Sequence, residues 1–227
     1  MHIGILQTGN TPEAFRDAVG DYDDLFKRLL RDQGFTLSSF KVIDSVFPAG
    51  VSSADGWLIT GSRYGAYDDL PWIPRLEDFI RKARDAHVPM VGICFGHQII
   101  AQALGGTVEK FSGGWSVGRQ VYPIEGRDYA LNAWHQDQVV GLPDGARVIG
   151  STDFCANAAL IYDNWAYTVQ PHPEFERPVI EGLIAHRGPG LVPDALLAEA
   201  AEKTDVPTDN AALADRIGRF LREARHG

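Results

Sequence analysis

The sequence predicts an α/β layer fold with a mostly parallel central sheet flanked by helices, and a helical extension at the C-terminal end. Three observations lead there. Short apolar runs alternate with amphipathic segments through residues 1–106, the rhythm of strand–helix–strand layers. With 227 residues, 44% hydrophobic and 22% charged, the chain can bury a sizeable core. Residues 186–227 return to helical spacing.

Taken in order, HIGILQ (2–7) is a short apolar run ending in Thr-Gly-Asn, a strand followed by a loop. From Asp21 the period changes: Leu25, Phe26, Leu29 and Leu30 share a helical face, and Gly34 stops it. FTLSSFKVI (35–43) and GWLIT (56–60) read as strands. Between Pro71 and His87, Leu76, Phe79, Ile80 and Ala83 form the inward stripe of a helix. VPMVGI (88–93) is a buried strand, and residues 96–104 form a helix closed by Gly105. Residues 107–170 carry few helical patterns; GRQVYPI (118–124), ARVIGST (146–152), ALIYD (159–163) and WAYTVQ (165–170) read as strands joined by turns. After Glu174 the chain returns to helix. GPGLVP (188–193) and KTDVPTDN (203–210) are loops, and the last helix, Ala211 to Arg225, puts Leu213, Ile217, Phe220 and Leu221 on one stripe. With no repeat, low-complexity tract or linker, one domain over 1–227 is the simplest organisation, with 186–227 as its helical extension.

Charge and composition narrow the function. A net charge of −9 repels a phosphate backbone, so no nucleic-acid partner is expected. No apolar run approaches the ~18 residues of a membrane span. The first ten residues are too short and polar for a signal peptide. Two cysteines, Cys94 and Cys155, argue against a disulfide scaffold and fit a reducing cytoplasm.

Cys94 stands in Gly92-Ile93-Cys94-Phe95-Gly96, between a buried strand and a helix. A nucleophile held above a sheet needs a sharp strand-to-helix turn, where side chains two positions away would collide with backbone; glycines fit there. The helix N-terminus favours a thiolate, and the Phe95 N–H can face a developing oxyanion. On this segment alone, a buried structural thiol is an equal reading. A nucleophile also needs a base, and the base an orienting group. VQPHPEF (169–175) supplies both. Pro171 and Pro173 push Gln170 and His172 into extended conformation. Residues two apart then face the same way, so Glu174 can hold the His172 imidazole. A rigid proline turn with an exposed histidine is the alternative. The segment follows a strand, where open α/β sheets place their sites.

GICFGHQ followed by QPHPE resembles the class I glutamine amidotransferase family over residues 1–186. The resemblance implies a flavodoxin-like fold and hydrolysis of the glutamine γ-amide through a γ-glutamyl thioester. It implies Cys94 as nucleophile, His172 as base and Glu174 as orienter, with Gly61 and Phe95 as backbone oxyanion donors. By the same resemblance Gln98 contacts the substrate's amino-acid end, Gly114, Trp115 and Ser116 line the glutamine pocket, and His135 and Asp137 bind its ammonium or carboxylate, or brace the site. SGGWSVG (112–118) starts like a pyrophosphatase loop but lacks the following Asp-Ser, so no phosphate site is expected. His97, His135, His172 and Cys94 lack the spacing of metal ligands, and neither metal nor cofactor is expected. Members of the family often serve a synthetase, as in GMP synthase. This chain carries no Gly-x-x-x-x-Gly-Lys loop, so either a separate synthetase subunit exists or the protein acts alone. The GSRYGAYDD and GGW segments look more like stand-alone members, γ-glutamyl peptidases among them. A non-catalytic binding or regulatory module is the reading from another class.

Overall fold

Apolar runs that alternate with amphipathic segments fold as strands covered by helices, and residues 1–106 obey that rule. In the computed structural model, which describes residues 1–224, β1 (His2–Gln7) leads through α1 (Glu13–Val19) and α2 (Tyr22–Leu29) to β2 (Thr36–Lys41) and β3 (Gly56–Ile59). Then come α3 (Trp72–Asp85), β4 (Met90–Ile93) and α4 (Phe95–Ala103). The middle is β-rich: β5 (Thr107–Lys110), β6 (Ser116–Ile124), β7 (Arg127–His135), β8 (Asp137–Gly141), β9 (Ala146–Gly150), β10 (Ala159–Tyr162) and β11 (Ala166–Val169). It ends in α5 (Arg177–His186), α6 (Asp194–Glu202) and α7 (Asn210–Ala224). The expected end of the last helix, Arg225, lies outside the described residues.

Local chemistry sets the ends of these elements. Asp21 starts α2 by accepting the Tyr22 N–H at 2.9 Å, while Asp24 accepts the Asp21 N–H at 3.1 Å, a reciprocal cap. Gly105 (φ 92°) follows α4, in a conformation that a side chain would resist. The strands alternate faces. Ile3 and Ile5 of β1 and Leu58 of β3 join one core with Phe26, Leu30 and the buried stripe of α7, Leu213, Ile217, Phe220 and Leu221. Leu6, Trp57 and Ile59 point the other way, into a core covered by α3 and α4.

Nine strands form one sheet in the order β2-β1-β3-β4-β11-β10-β9-β6-β7, and β5 pairs with β8 apart from it. The expectation of a mostly parallel sheet is corrected. Pairing is parallel from β2 to β11 and antiparallel from β11 through β10, β9 and β6 to β7. The reason is connectivity. Parallel neighbours need a long crossover, usually a helix, and residues 107–170 form none. Strands joined by tight turns must run back. The β6–β7 turn is Glu125-Gly126, with φ of 51° and 78°, the left-handed pair that a two-residue hairpin requires. Among the described residues no helix is long and apolar enough to cross a membrane.

Candidate active site

Three neighbouring parallel strands deliver the proposed machinery to one edge of the sheet. Register pairs Ile59 of β3 with Gly92 of β4, and Ile93 of β4 with Val169 of β11. Gly61, Cys94 and His172 follow those strand ends by a few residues, so they emerge side by side at the carboxyl edge.

Cys94 sits between β4 and α4 at φ 52°, ψ −102°, a strained backbone for a residue with a side chain. The two glycines are explained by contact. A Cβ on Gly92 would come within 2.5 Å of the Gly96 carbonyl oxygen, and one on Gly96 within 2.4 Å of the Ile59 carbonyl oxygen. The Cys94 N–H donates to the Val169 carbonyl at 2.9 Å, which ties the turn to β11.

His172 leaves β11 in extended chain and donates its backbone N–H to the Asn132 carbonyl of β7 at 2.8 Å. Its Nδ1 lies 2.6 Å from Glu174 Oε1, and both residues are 3% exposed. The imidazole also lies within electrostatic reach of the Cys94 side chain, and both line the same cleft. The Phe175 ring stacks on the imidazole at 3.9 Å and 3°. On another side is Gly61, where a Cβ would meet His172 Cε1 at 2.8 Å and Cys94 Cβ at 3.9 Å. Burial alone would depress the His172 pKa; the negative fields of Glu174 and Cys94, and the hydrogen bond to Glu174, outweigh it and raise the value to about 10. The Thr60 and Gly61 carbonyl oxygens both lie within hydrogen-bond reach of Thr8 Oγ1, at 3.0 and 3.1 Å, which holds the backbone at Thr60–Gly61 in orientation. The N–H of Phe95, at the first position of α4, has no intrahelical acceptor.

Cys94 and His172 line a cleft of about 710 Å³, with Gln98, Trp115, His135 and Asp137 also in its wall. The Gln98 amide nitrogen donates to the Asp137 carbonyl at 2.8 Å and to Gln170 Oε1 at 3.1 Å. It braces the wall. Gly114 and Ser116 flank Trp115 but are not in the wall; Ser116 pairs with His135 at the ends of β6 and β7. The Asp137 carboxylate accepts the Tyr67 hydroxyl at 2.9 Å, and burial raises its pKa. Burial, and then the nearby positive charge of His172, lower His135 to about 3, so it faces the cleft as a neutral ring. His97 is buried behind the turn, Nδ1 to Thr168 Oγ1 at 2.8 Å. Among the described residues no group of three or more His, Cys, Asp or Glu side chains is placed to hold a metal ion.

Sequence reasoning missed several wall residues. Phe175 was within reach, as the residue that completes the His-Pro-Glu-Phe run. Tyr22, whose ring lies 6.1 Å from Phe175, opens a helix and carries no local sign of its role. Arg16 belongs to α1, which the apolar spacing did not reveal, and Arg187 caps α5.

The comparisons with known proteins follow the same site. The model for the class I glutamine amidotransferases matches residues 17–179. A glutamine amidotransferase-like protein of Schizosaccharomyces pombe, C13C5.04, is 30% identical over 98% of this chain and 99% of its own. Gamma-glutamyl peptidase 4 of Arabidopsis thaliana is 33% identical over 76% of this chain and 75% of its own. One of the subunits of the glutamine-hydrolyzing GMP synthase of Archaeoglobus fulgidus is 32% identical over 68% of this chain and 84% of its own. Among solved structures, a glutamine amidotransferase from Methylobacillus flagellatus superposes with a TM-score of 0.77 at 22% identity, covering all of this chain and 93% of that one. Its likeness supports the fold, an α/β arrangement around a large mixed sheet. With a matching model over most of its length and relatives at this level of identity, the chain belongs to the class I glutamine amidotransferase family.

Proposed function

We propose that the protein hydrolyses γ-glutamyl amides through a thioester on Cys94, with His172 as proton carrier and Glu174 as its orienting carboxylate. The observation that carries this reading is the 2.6 Å bond from His172 to Glu174, on an imidazole that lines the same cleft as Cys94 and interacts with it electrostatically.

The chemistry runs as acyl transfer to water. The Cys94 sulfur attacks the γ-carboxamide carbon, and the carbonyl π electrons move to oxygen. The backbone N–H groups of Gly61 and Phe95 receive that oxyanion; losing one such donor costs on the order of 10²–10³ in turnover. The His172 imidazolium gives its proton to the leaving nitrogen, the C–N bond breaks, and the thioester remains. Neutral His172 then takes a proton from water as its oxygen attacks the thioester, and the γ-carboxylate leaves as Cys94 is regenerated. Glu174 keeps Nε2 aimed at the reacting atoms throughout, because Nδ1–H is committed to its carboxylate. Trp115, His135 and Asp137 line the cleft and are the proposed contacts of the glutamyl part.

Two leaving groups suit this machinery. Ammonia from glutamine fits the GMP synthase relative, and would call for a separate synthetase subunit to consume it. An amino acid from a γ-glutamyl peptide fits the peptidase relative, and the generous cleft leaves room beyond the scissile bond. A release assay separates them. Pure protein is incubated with glutamine and, in parallel, with γ-glutamyl dipeptides; ammonia, glutamate and free amino acid are measured. Glutamate from either substrate, lost in Cys94→Ala, supports the reading. No release from any γ-glutamyl amide, alone or with a synthetase added, refutes catalysis and leaves the binding module.

A further inference from the structure

The cleft wall carries cations that the proposed chemistry does not use. Helices α1 and α5 pack together there, and the Phe15 ring stacks on His186 at 6.0 Å. Arg16, His186 and Arg187, at or next to that contact in sequence, all line the cleft. Arg16 donates Nε and Nη2 to the Thr11 carbonyl at 2.8 and 2.6 Å, which holds its guanidinium in place. Arg187 is partly buried at the end of α5, its backbone N–H fixed on the Leu183 carbonyl at 2.9 Å. Among the described residues its guanidinium has no ion-pair or hydrogen-bond partner, although Glu13 lines the same cleft. Burial, then the negative fields of Glu174 and Cys94, raise the Tyr22 hydroxyl above its usual range, and the charge of Arg187 opposes them. Arg187 therefore lies within electrostatic reach of a ring that borders the triad.

An unpaired guanidinium in a partly desolvated wall is costly unless a ligand pairs with it. Its planar fork matches a carboxylate in two parallel hydrogen bonds. Glutamine offers a guanidinium only the α-carboxylate of its glutamyl part, since its leaving group is ammonia. A γ-glutamyl peptide presents the α-carboxylate of the departing amino acid. Resting on the γ-glutamyl amide reading above, we propose that Arg187, with Arg16 beside it, is the specificity-determining residue that binds the carboxylate of the leaving amino acid, and that the preferred substrates are γ-glutamyl peptides with a free C-terminal carboxylate.

The test compares γ-glutamyl-alanine with γ-glutamyl-alaninamide, which differ only in that carboxylate. Turnover is measured with the wild-type protein, and equilibrium binding by calorimetry with Cys94→Ala. The free acid is expected to bind about ten- to hundred-fold more tightly than the amide, as for a charge-assisted hydrogen bond. Its KM should be lower by a similar factor. In Arg187→Gln on the Cys94→Ala background the preference collapses, while Lys110→Gln, which removes a cation beside Asp137, keeps it. Equal binding of acid and amide overturns the proposal. So does a preference that survives Arg187→Gln, or a loss that falls equally on acid and amide, which would put Arg187 on the glutamyl carboxylate instead. Absence of turnover on every γ-glutamyl amide would sink the catalytic reading, and the binding comparison would still decide this one.

Discussion

The two halves of the sheet do different work. The parallel half, β2-β1-β3-β4-β11, ends on loops that carry Gly61, Cys94 and His172 to one edge, with the Cys94 backbone held in a strained turn. The antiparallel half, β10-β9-β6-β7, is a run of short connections and close contacts. Its contribution to the site is a wall: His135 at the end of β7, Trp115 just before β6, and the Asn132 carbonyl that holds the His172 backbone. Parallel strands all present their carboxyl ends at one edge, so reactive groups from separate segments converge there. A meander alternates ends, which suits it to bracing. Each half also owns one cysteine, and this gives the sharpest contrast. Cys94→Ala is expected to lose on the order of 10⁴-fold or more in glutamate release, as removal of a nucleophile does. Cys155, buried at 1% exposure before β10 with its thiol pushed up to about 12 by burial, is inert by comparison. Cys155→Ala should keep turnover and lose roughly 1 kcal/mol of stability. Labelling by a γ-glutamyl electrophile, read by mass spectrometry, should land on Cys94 alone.

Histidines draw the same contrast in pH. His172 is raised to about 10 in the folded chain, above an unfolded value near 6.5. The folded state binds the extra proton, so its stabilisation is fully present below about 6.5 and is lost as pH rises towards about 10. His135, lowered to about 3, has the opposite sign: its contribution is present above about 6.5 and is lost as pH falls towards about 3. Denaturant midpoints followed from about pH 4 to about pH 10 should therefore fall at both ends. Glu174→Gln removes the carboxylate that holds the imidazolium and should flatten the alkaline fall by a few kcal/mol at most. An alkaline limb that is unchanged in Glu174→Gln would separate that slope from the pair.

How much of this was legible in the sequence follows the same division. The His172–Glu174 pair was readable because prolines enforce extension and extension has period two; both constraints are local. The glycines around Cys94 were readable because a tight turn excludes side chains, again a local matter. The sheet's direction was not readable beyond β4. Whether β10 runs parallel or antiparallel to β11 depends on the length and shape of a connection, and on partners far away in sequence. The 127–135 stretch hides its strand for a related reason: Tyr129 to Ala133 are all buried, so the alternation that marks a half-exposed strand is missing. Gln98 is a different case. Its place in the motif is a local matter, but the partners of its amide nitrogen, Asp137 and Gln170, are brought to it only by folding.

Matched glycines test whether the halves can be damaged separately. A Cβ on Gly96 would press on the β3 backbone at Ile59, so Gly96→Ala should shift α4 and with it Cys94. About 1–3 kcal/mol of stability is at stake in such overpacking, and a displacement near 1 Å can cost about 10² in rate. In β9, a Cβ on Gly150 would meet Ile124 Cγ1 at 2.8 Å and Ala159 Cβ at 3.0 Å. Gly150→Ala should cost a similar stability while kcat stays near wild type. Comparable loss of kcat in both would mean that the wall is as demanding as the turn.

The smallest effect is expected where the antiparallel half is fastened to α7. Arg216 donates Nε and Nη2 to the two carboxylate oxygens of Glu125, at 2.6 and 2.7 Å, and lies 4.7 Å from the Tyr167 ring centroid. Glu125 is in the β6–β7 turn, so this fork ties the hairpin to the helix and to β11. The side chains are 17% and 33% exposed, which screens the pair, yet its bidentate geometry exceeds the ordinary surface case. Arg216→Ala should therefore lower stability by roughly 1 kcal/mol, a fall in Tm of about 2–4 °C for a chain of this size, with glutamate release unchanged. Arg216→Lys keeps the charge and loses the fork, so its Tm should lie between the two. If Lys restores wild-type stability, charge alone fastens the hairpin; if it matches Ala, geometry does.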